Sequence, residues 1–456
     1  MSVKKNYYKL HFIGAGGISL SALAKLMLKW GKTVSGSDTN FSKNVIELME
    51  KGADIWIGSN PQSIKNPDLA VYSSAISKDD KELVHCRNIG VPVMERHIFL
   101  GEVAKEFSTV VAIGGTHGKT TCTGMLGHIL KHAAKGFCAH IGGEVVDMGN
   151  LYYSGDDFFI TEACEYKKSL LSIPSNISVV LNAENDHPDT FYDLEDVYCT
   201  FDIFLSGDKN RLGLVCGDTD YYKKHLKQKY PLVLTFGTDK AFDFYISDIH
   251  EHKDEMFGFT LNYLQSPLVD VNLSLVGFHN VYNAAAAMAV SYLLKIDNEI
   301  IKSAVENFQG IKRRFEKRGS LKGADIYHDY AHHPSEISAV MQSAKRLTKS
   351  RLIIVFQPHT FSRTALLFDD FIEVLAKSDL LYLLKEYPAR ENFAQGKSAE
   401  DLYHKLKNKC QTKYFDKTLP LAKDIIENIE PFDTVLVLGA GDVDKLCDIL
   451  LPQENN

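Results

Sequence analysis

The 456-residue sequence has little of what marks the more specialised classes of protein. No apolar run approaches the roughly 18 residues that a membrane helix needs, so no segment reads as a span. No long run of one charge occurs either. The 51 basic and 58 acidic residues are interspersed and sum to −7, which leaves no electrostatic footprint for nucleic acid. Cysteine is sparse, with eight residues scattered from Cys86 to Cys447 and no Cys-x-x-Cys pair. That excludes a disulfide framework and a spaced zinc set, and reduced buried thiols in a cytoplasmic protein are expected. The opening residues run toward a strand at Lys9 without the apolar core of a secretory signal. The length exceeds what one core supports, and three domains fit it best.

What is present begins with Val110-Val-Ala-Ile-Gly-Gly-Thr-His-Gly-Lys-Thr-Thr-Cys122, a buried strand, a glycine-rich turn and a helix start. Glycine lets the backbone turn its N–H groups toward phosphates, Lys119 adds a point charge, and Thr120 or Thr121 offers a hydroxyl for magnesium. The full P-loop template asks for glycine at 113, where this chain has Ile113. What remains is the shorter form Gly115-Thr116-His117-Gly118-Lys119-Thr120-Thr121.

The periodicity predicts an α/β protein. Lys9–Ile13 reads as a strand, followed by Gly14-Ala-Gly16-Gly17 and an amphipathic helix through Leu20, Leu23, Ala24, Met27 and Leu28, and a second strand ends at Ser37-Asp38. This opens a dinucleotide-type βαβ unit in which Ser19 replaces the third glycine of the fingerprint. A nicotinamide-dependent dehydrogenase would share that opening, but the imperfect fingerprint and the separate phosphate loop argue against one. The first domain is expected to span 1–107. A central domain over 108–312 alternates apolar strands and helices, then changes between about Phe242 and Leu275 to the period-two alternation of a small antiparallel excursion. A third domain over 313–456 is again doubly wound, and its Gly439-Ala-Gly441-Asp442 reads as a tight strand-to-helix turn.

Ligands of open α/β sheets collect at the carboxyl ends of strands. Three such ends carry chemistry: Glu162-Ala-Cys-Glu165, Asn182 with Asp186-His187-Pro188-Asp189 beyond it, and Asp329-Tyr330-Ala-His332-His333-Pro334. Carboxylate, imidazole and hydroxyl groups around a triphosphate would suit magnesium, which leans on phosphate oxygens and retained water. Either Glu162 or Glu165 could be the metal ligand; Glu162 is favoured as the residue directly after its strand. Adjacent His332 and His333 do not point to zinc, and a solvated basic turn is the lesser alternative for Arg313 and Arg314.

In order along the chain, His11-Phe-Ile-Gly-Ala-Gly-Gly17, Gly115–Thr121, Asp186-His-Pro-Asp-Thr190, His279-Asn-Val-Tyr-Asn283, Arg313-Arg-Phe315, Asp329–Pro334, Phe356-Gln-Pro-His-Thr-Phe-Ser-Arg-Thr364 and Tyr387-Pro-Ala-Arg-Glu391 resemble the motifs of the Mur ligases. These ATP-dependent enzymes build the peptide stem of bacterial cell-wall precursors. The resemblance implies an N-terminal Rossmann-like domain for a UDP-sugar, a central P-loop ATPase domain and a C-terminal Rossmann-like domain for an amino acid. It implies ATP and Mg2+ as cofactors, and UDP-N-acetylmuramate and L-alanine as small-molecule partners of a monomer or weak homodimer. It places Gly14, Gly16, Gly17, Ser37, Asp38, Ser73 and Ser74 on the UDP-sugar. Gly115 to Thr121, Asn283, Arg314 and Asp329 fall to ATP, with Asn283 on adenine, Arg314 on a phosphate and Asp329 on ribose. Lys119, Glu162 and His187 would be catalytic, with Thr120, Glu162 and His187 on the metal. Tyr330, His332 and Arg363 would hold the amino acid, Arg363 pairing with its carboxylate. Within the family, a recycling ligase that attaches a whole tripeptide is the rival reading, and the Phe356–Thr364 and Tyr387–Glu391 segments fit it less well.

Overall fold

The computed structural model describes residues 2–451 except 187–189, 208–211, 229–232, 254, 390 and 392–396. These fall into two compact units. The first comprises 1–250, 258–274 and 279–309, and the second 251–257, 275–278 and 310–456.

The first unit carries two sheets. β1 (Lys9–Ile13), β2 (Thr33–Asp38), β3 (Asp54–Ile57), β4 (Leu69–Tyr72) and β5 (Val93–Glu95) lie in the order β3-β2-β1-β4-β5, all parallel. The chain reverses its lateral direction at β1, so the crevice for a ligand opens where Gly14–Gly17 leaves that strand. A short helix, Val3–Asn6, precedes β1 where the sequence suggested direct entry into the strand, because the Ser2 hydroxyl caps it by accepting from Lys5 N at 3.3 Å.

The second sheet is built from β6 (Thr109–Gly114), β7 (Phe137–Val145), β8 (Gly149–Tyr153), β9 (Phe158–Ala163), β10 (Ile177–Val180), β11 (Leu212–Cys216), β12 (Leu234–Gly237), β13 (Phe244–Lys253), β14 (Met256–Tyr263) and β15 (Ser266–Val276). Its order is β15-β14-β13-β12-β11-β10-β6-β9-β7-β8. The strands around β6 are parallel and buried, as the unbroken apolar runs required. The connections within β13–β15 are too short for parallel crossovers, which gives the expected antiparallel excursion. The two sheets share one apolar core. The Phe107 ring packs, tilted, 4.8 Å from that of Phe159 and 6.1 Å from that of Trp30, so the border expected near Phe107 runs through continuous packing.

In the second unit, β16 (Glu316–Leu321), β17 (Ala324–Asp329), β18 (Leu352–Phe356), β19 (Leu380–Leu384), β20 (Gln411–Phe415) and β21 (Thr434–Leu438) run in the order β16-β17-β21-β18-β19-β20. All neighbours are parallel except β16 with β17. Apolar clusters cover both faces. Two strands extend past their expected ends. Glu162 lies inside β9 rather than after it, and Asp329 is the last residue of β17. Each remains paired to a neighbouring strand to that point, Glu162 with Ile113 and Asp329 with Leu438.

Candidate functional site

At the switch point of the second sheet, β6 delivers the chain to Gly115 with φ of +136° and Gly118 with φ of +84°. Both lie in the region that glycine enters freely. A Cβ at Gly118 would collide with the side chain of Asn283, which projects from the helix His279–Leu293, so only glycine lets the loop close there. The helix Lys119–His132 then begins with its free N–H groups at the loop, an arrangement suited to phosphate. Asn182, just past β10, clamps the loop by accepting from His117 N at 2.8 Å and donating to His117 O at 3.1 Å. The Thr116 hydroxyl accepts from Glu184 N at 2.9 Å.

The two candidate carboxylates have separate partners. Lys119 Nζ donates to Glu165 Oε2 at 2.9 Å, to Thr116 O at 3.0 Å and to Gly115 O. Burial works against the ammonium charge, but Glu165 outweighs it and holds the Lys119 pKa above its ordinary value. Glu162 instead faces Thr120, whose hydroxyl donates to its Oε2 at 3.0 Å, while its Oε1 accepts from Gly142 N at 2.5 Å. A Cβ at Gly142 would run into that carboxylate. Thr120 and Glu162 therefore present hard oxygens together beside the phosphate loop, a donor pair that fits magnesium bound partly through substrate phosphate. Thr121 is half-buried on the first turn of the same helix, and Asn283 is buried with its amide donating to Asn280 Oδ1 at 3.1 Å. His187 lies outside the described residues.

At the first sheet, Gly14 takes φ of +81°, and Gly14 N and Ala15 N donate to Ser37 O at 2.8 and 2.9 Å. Gly16 N donates to Asp38 Oδ2 at 2.8 Å, so the acidic end of β2 ties the turn. The Ser37 hydroxyl points inward to the buried Glu82 carboxylate, which also accepts from Trp56 Nε1 at 2.8 Å and Asn60 N at 2.7 Å. Despite burial, those donors and His11 hold Glu82 at a pKa of about 2. Ser37 thus serves the cradle through its carbonyl. Ser73 closes its own turn after β4 by accepting from Ala75 N at 3.0 Å, with Ser74 next to it.

The second unit gathers its candidates where β17, β21 and β18 end. The rings of Tyr330 and His332 meet edge to face at 5.5 Å, His332 and His359 lie 5.8 Å apart, and Arg363 Nη1 reaches His359 Nδ1 at 3.5 Å. Arg363 is held by the helix Phe361–Leu366, capped by Thr360, whose φ of +68° is strained for a β-branched residue. Arg313 and Arg314 are not equivalent. Both lie over the Tyr330 ring, at 5.1 and 5.4 Å, but Arg313 Nη2 also donates to Gly441 O at 2.9 Å and its Nη1 lies 3.6 Å from Asp444, whereas Arg314 forms no ion pair among the described residues. Asp329 accepts from Phe315 N and Ala331 N, both at 2.7 Å, and burial lifts it to a pKa of about 6 against the pull of Arg314 and those donors.

Known proteins match this chain end to end. The descriptions "Mur ligase family, catalytic domain", "Mur ligase middle domain" and "Mur ligase, glutamate ligase domain" cover residues 9–108, 113–291 and 313–441. The UDP-N-acetylmuramate–L-alanine ligase of Caldicellulosiruptor saccharolyticus is 38% identical over 449 residues, covering 97% of this chain and 98% of its own. The chain belongs to the Mur ligase family. The enzyme of the same name from Lachnospira eligens is 37% identical and covers 98% of both chains. Among solved structures, UDP-N-acetylmuramate–alanine ligase from Thermotoga maritima superposes with a TM-score of 0.83 at 25% identity, covering 97% of this chain and 98% of that one. A murein peptide ligase from Psychrobacter arcticus shares the fold at a TM-score of 0.73 and 22% identity, with the same coverage.

This Mur ligase also has polar residues around its candidate sites that pattern reading passed over. Arg96, the first residue of the helix Arg96–Ala104 that follows β5, and His140, on β7, both hydrogen-bond the hydroxyl of Ser19. His359 joins the cluster around Arg363. No spacing rule announces Arg96 or His140, since each meets Ser19 from far away in sequence, whereas His359 lies within the Phe356–Thr364 motif, four residues before Arg363.

Proposed function

We propose that this Mur ligase joins L-alanine to the lactyl carboxylate of UDP-N-acetylmuramate at the expense of ATP, releasing ADP and phosphate. The observation that carries it is the full-length likeness to ligases of that name, with Lys119, Thr120 and Glu162 assembled around a glycine-rich loop. In this reading the loop amides and the charged Lys119 bind the β- and γ-phosphates, and Thr120, Glu162 and His187 hold the Mg2+. That ion, when bound, would neutralise charge on the phosphate oxygens.

The lactyl carboxylate attacks the γ-phosphorus and the bond to the β-phosphate oxygen breaks, giving ADP and an acyl phosphate. The amine of alanine adds to the acyl carbon, phosphate leaves, and the amine loses a proton as the amide forms. No enzyme nucleophile is needed, so the protein acts by positioning and by fixed charge. Gly14, Gly16, Gly17, Asp38 and the Ser73-Ser74 turn are assigned to the sugar nucleotide, and Asn283, Arg314 and Asp329 to ATP. Tyr330, His332 and Arg363 are assigned to alanine. Eight free thiols suit a reducing compartment, and we place the enzyme in the cytoplasm as a monomer or weak homodimer.

The test is phosphate release with ATP, magnesium and UDP-N-acetylmuramate, adding L-alanine, the stem tripeptide or no acceptor. Release that depends on alanine is expected. Release that depends on the tripeptide but not on alanine would overturn the assignment in favour of the recycling reaction.

A further inference from the structure

Ser19 occupies the place of the third fingerprint glycine, and its hydroxyl sits in a chain of hydrogen bonds with one consistent direction. Thr161 Oγ1 donates to Glu162 O at 3.2 Å, which leaves its oxygen to accept from His140 Nδ1 at 3.0 Å. His140 Nε2 then carries a lone pair and accepts from Ser19 Oγ at 2.8 Å. Ser19 in turn accepts from Arg96 Nη1 at 3.2 Å. Burial, reinforced by Arg96, lowers His140 to a pKa of about 3, so the imidazole stays neutral and its tautomer is set by Thr161. Strand register keeps the two together, since His140 on β7 pairs directly with Thr161 on β9.

The end of this chain is Arg96, a half-buried guanidinium whose bond to Ser19 is its one hydrogen bond among the described residues, and which forms no ion pair there. A guanidinium has five N–H donors in a fork that matches carboxylate and phosphate oxygens, so most of its capacity is unspent. Its place is specific. Ser19 is the second residue of the helix that follows the Gly14–Gly17 turn, and Thr161, at the far end of the hydrogen-bonded chain, directly precedes Glu162 on β9. Arg96 is thereby tied, through Ser19, His140 and Thr161, both to the turn assigned to the sugar nucleotide and to the strand whose Glu162 faces Thr120 of the phosphate loop.

We propose that Arg96 binds anionic oxygens of the sugar nucleotide, and that Ser19 and His140 position its guanidinium. This rests on the function proposed above and adds a binding residue and its supports to it. The anion is the lactyl carboxylate or the inner phosphate of the same ligand, two sources with one chemistry.

The test is calorimetric binding of UDP-N-acetylmuramate and of UDP-N-acetylglucosamine, which lacks the lactyl carboxylate, to the full-length protein and to Arg96→Gln, Arg96→Lys, Ser19→Gly and Ser19→Thr. Arg96→Gln should weaken UDP-N-acetylmuramate roughly tenfold to 100-fold, the range for a charged hydrogen-bonding group, and Arg96→Lys should recover part of it. Ser19→Gly, which restores the fingerprint, should raise the KM for the sugar nucleotide while leaving that for ATP unchanged, with rescue by Ser19→Thr. Equal weakening of both ligands identifies the phosphate, and weakening of the muramate alone identifies the carboxylate. If wild type binds and both Arg96 variants bind within twofold of it, the role of Arg96 is refuted while the proposed function stands. If wild type itself does not bind UDP-N-acetylmuramate, the proposed function falls and this inference with it. Should Arg96→Gln fail to fold, Arg96→Lys and Ser19→Gly carry the same comparison.

Discussion

Lys119 and Glu165 expose 14% and 3% of their side chains, and their separation of 2.9 Å makes them the tightest test of how the nucleotide loop is held. At an effective dielectric of about 20, unit charges at that distance attract by about 6 kcal/mol, most of it offset by the loss of hydration of both groups. Glu165→Gln removes one charge and leaves the ammonium with the carbonyls of Gly115 and Thr116. Breaking a buried pair on one side costs about 3–5 kcal/mol, and the surviving acceptors put this case near 3. Without nucleotide, amide exchange along the helix Lys119–His132 should therefore accelerate about 100-fold, at about 1.4 kcal/mol per tenfold. Lys119→Met should produce a similar loss by stranding Glu165. The double variant should lose less than the sum of the two by about 2 kcal/mol, because neither charge is left alone. A coupling under about 0.5 kcal/mol would mean the two side chains act independently, and would refute the account of Glu165 as the counter-ion that keeps Lys119 charged.

Three further outcomes are expected. Lys119→Ala should abolish turnover while leaving UDP-N-acetylmuramate affinity within a few-fold, since that ligand is assigned to the other sheet; a parallel loss of affinity in calorimetry would contradict the division. Arg363→Ala should raise the KM for alanine at least about tenfold with little change for ATP, and equal shifts in steady-state kinetics would remove it from the amino-acid pocket. Asp329 has a folded pKa of about 6 against an ordinary 3.8, so its protonated form is the one the fold favours. Its contribution is fully present below about pH 4 and is lost as pH rises through 6, a change of up to about 3 kcal/mol. Urea unfolding of the second unit should show that slope in wild type and lose it in Asp329→Asn; stability that rises with pH through this window because of Asp329 would reverse the argument.

Much of this was legible in the sequence where the cause is local. The Gly115–Thr121 loop declared itself because its conformation demands glycine at two positions and its chemistry demands a lysine and hydroxyls beside them. The alternation from Phe242 onward announced a change of sheet character, and it is there in β13–β15. Strand ends were less legible, and Glu162 and Asp329 were placed one step outside strands that contain them. Pairing with neighbouring strands, which periodicity does not report, carries β9 and β17 further.

Fold class, family and the ordered motifs were determined by the sequence itself, because hydrophobic period, turn glycines and phosphate-loop chemistry are written within a few residues of one another. Which charge answers which was decided only by tertiary structure. Glu165, not Glu162, pairs with Lys119 from 46 residues away, and Arg313 bonds a turn 128 residues later while Arg314 does not. Ser19, which from sequence was a defect in a fingerprint, finds His140 across 121 residues and Arg96 across 77. Such pairings depend on which strands become neighbours. That is settled by burial of whole faces rather than by any local preference of the residues that meet.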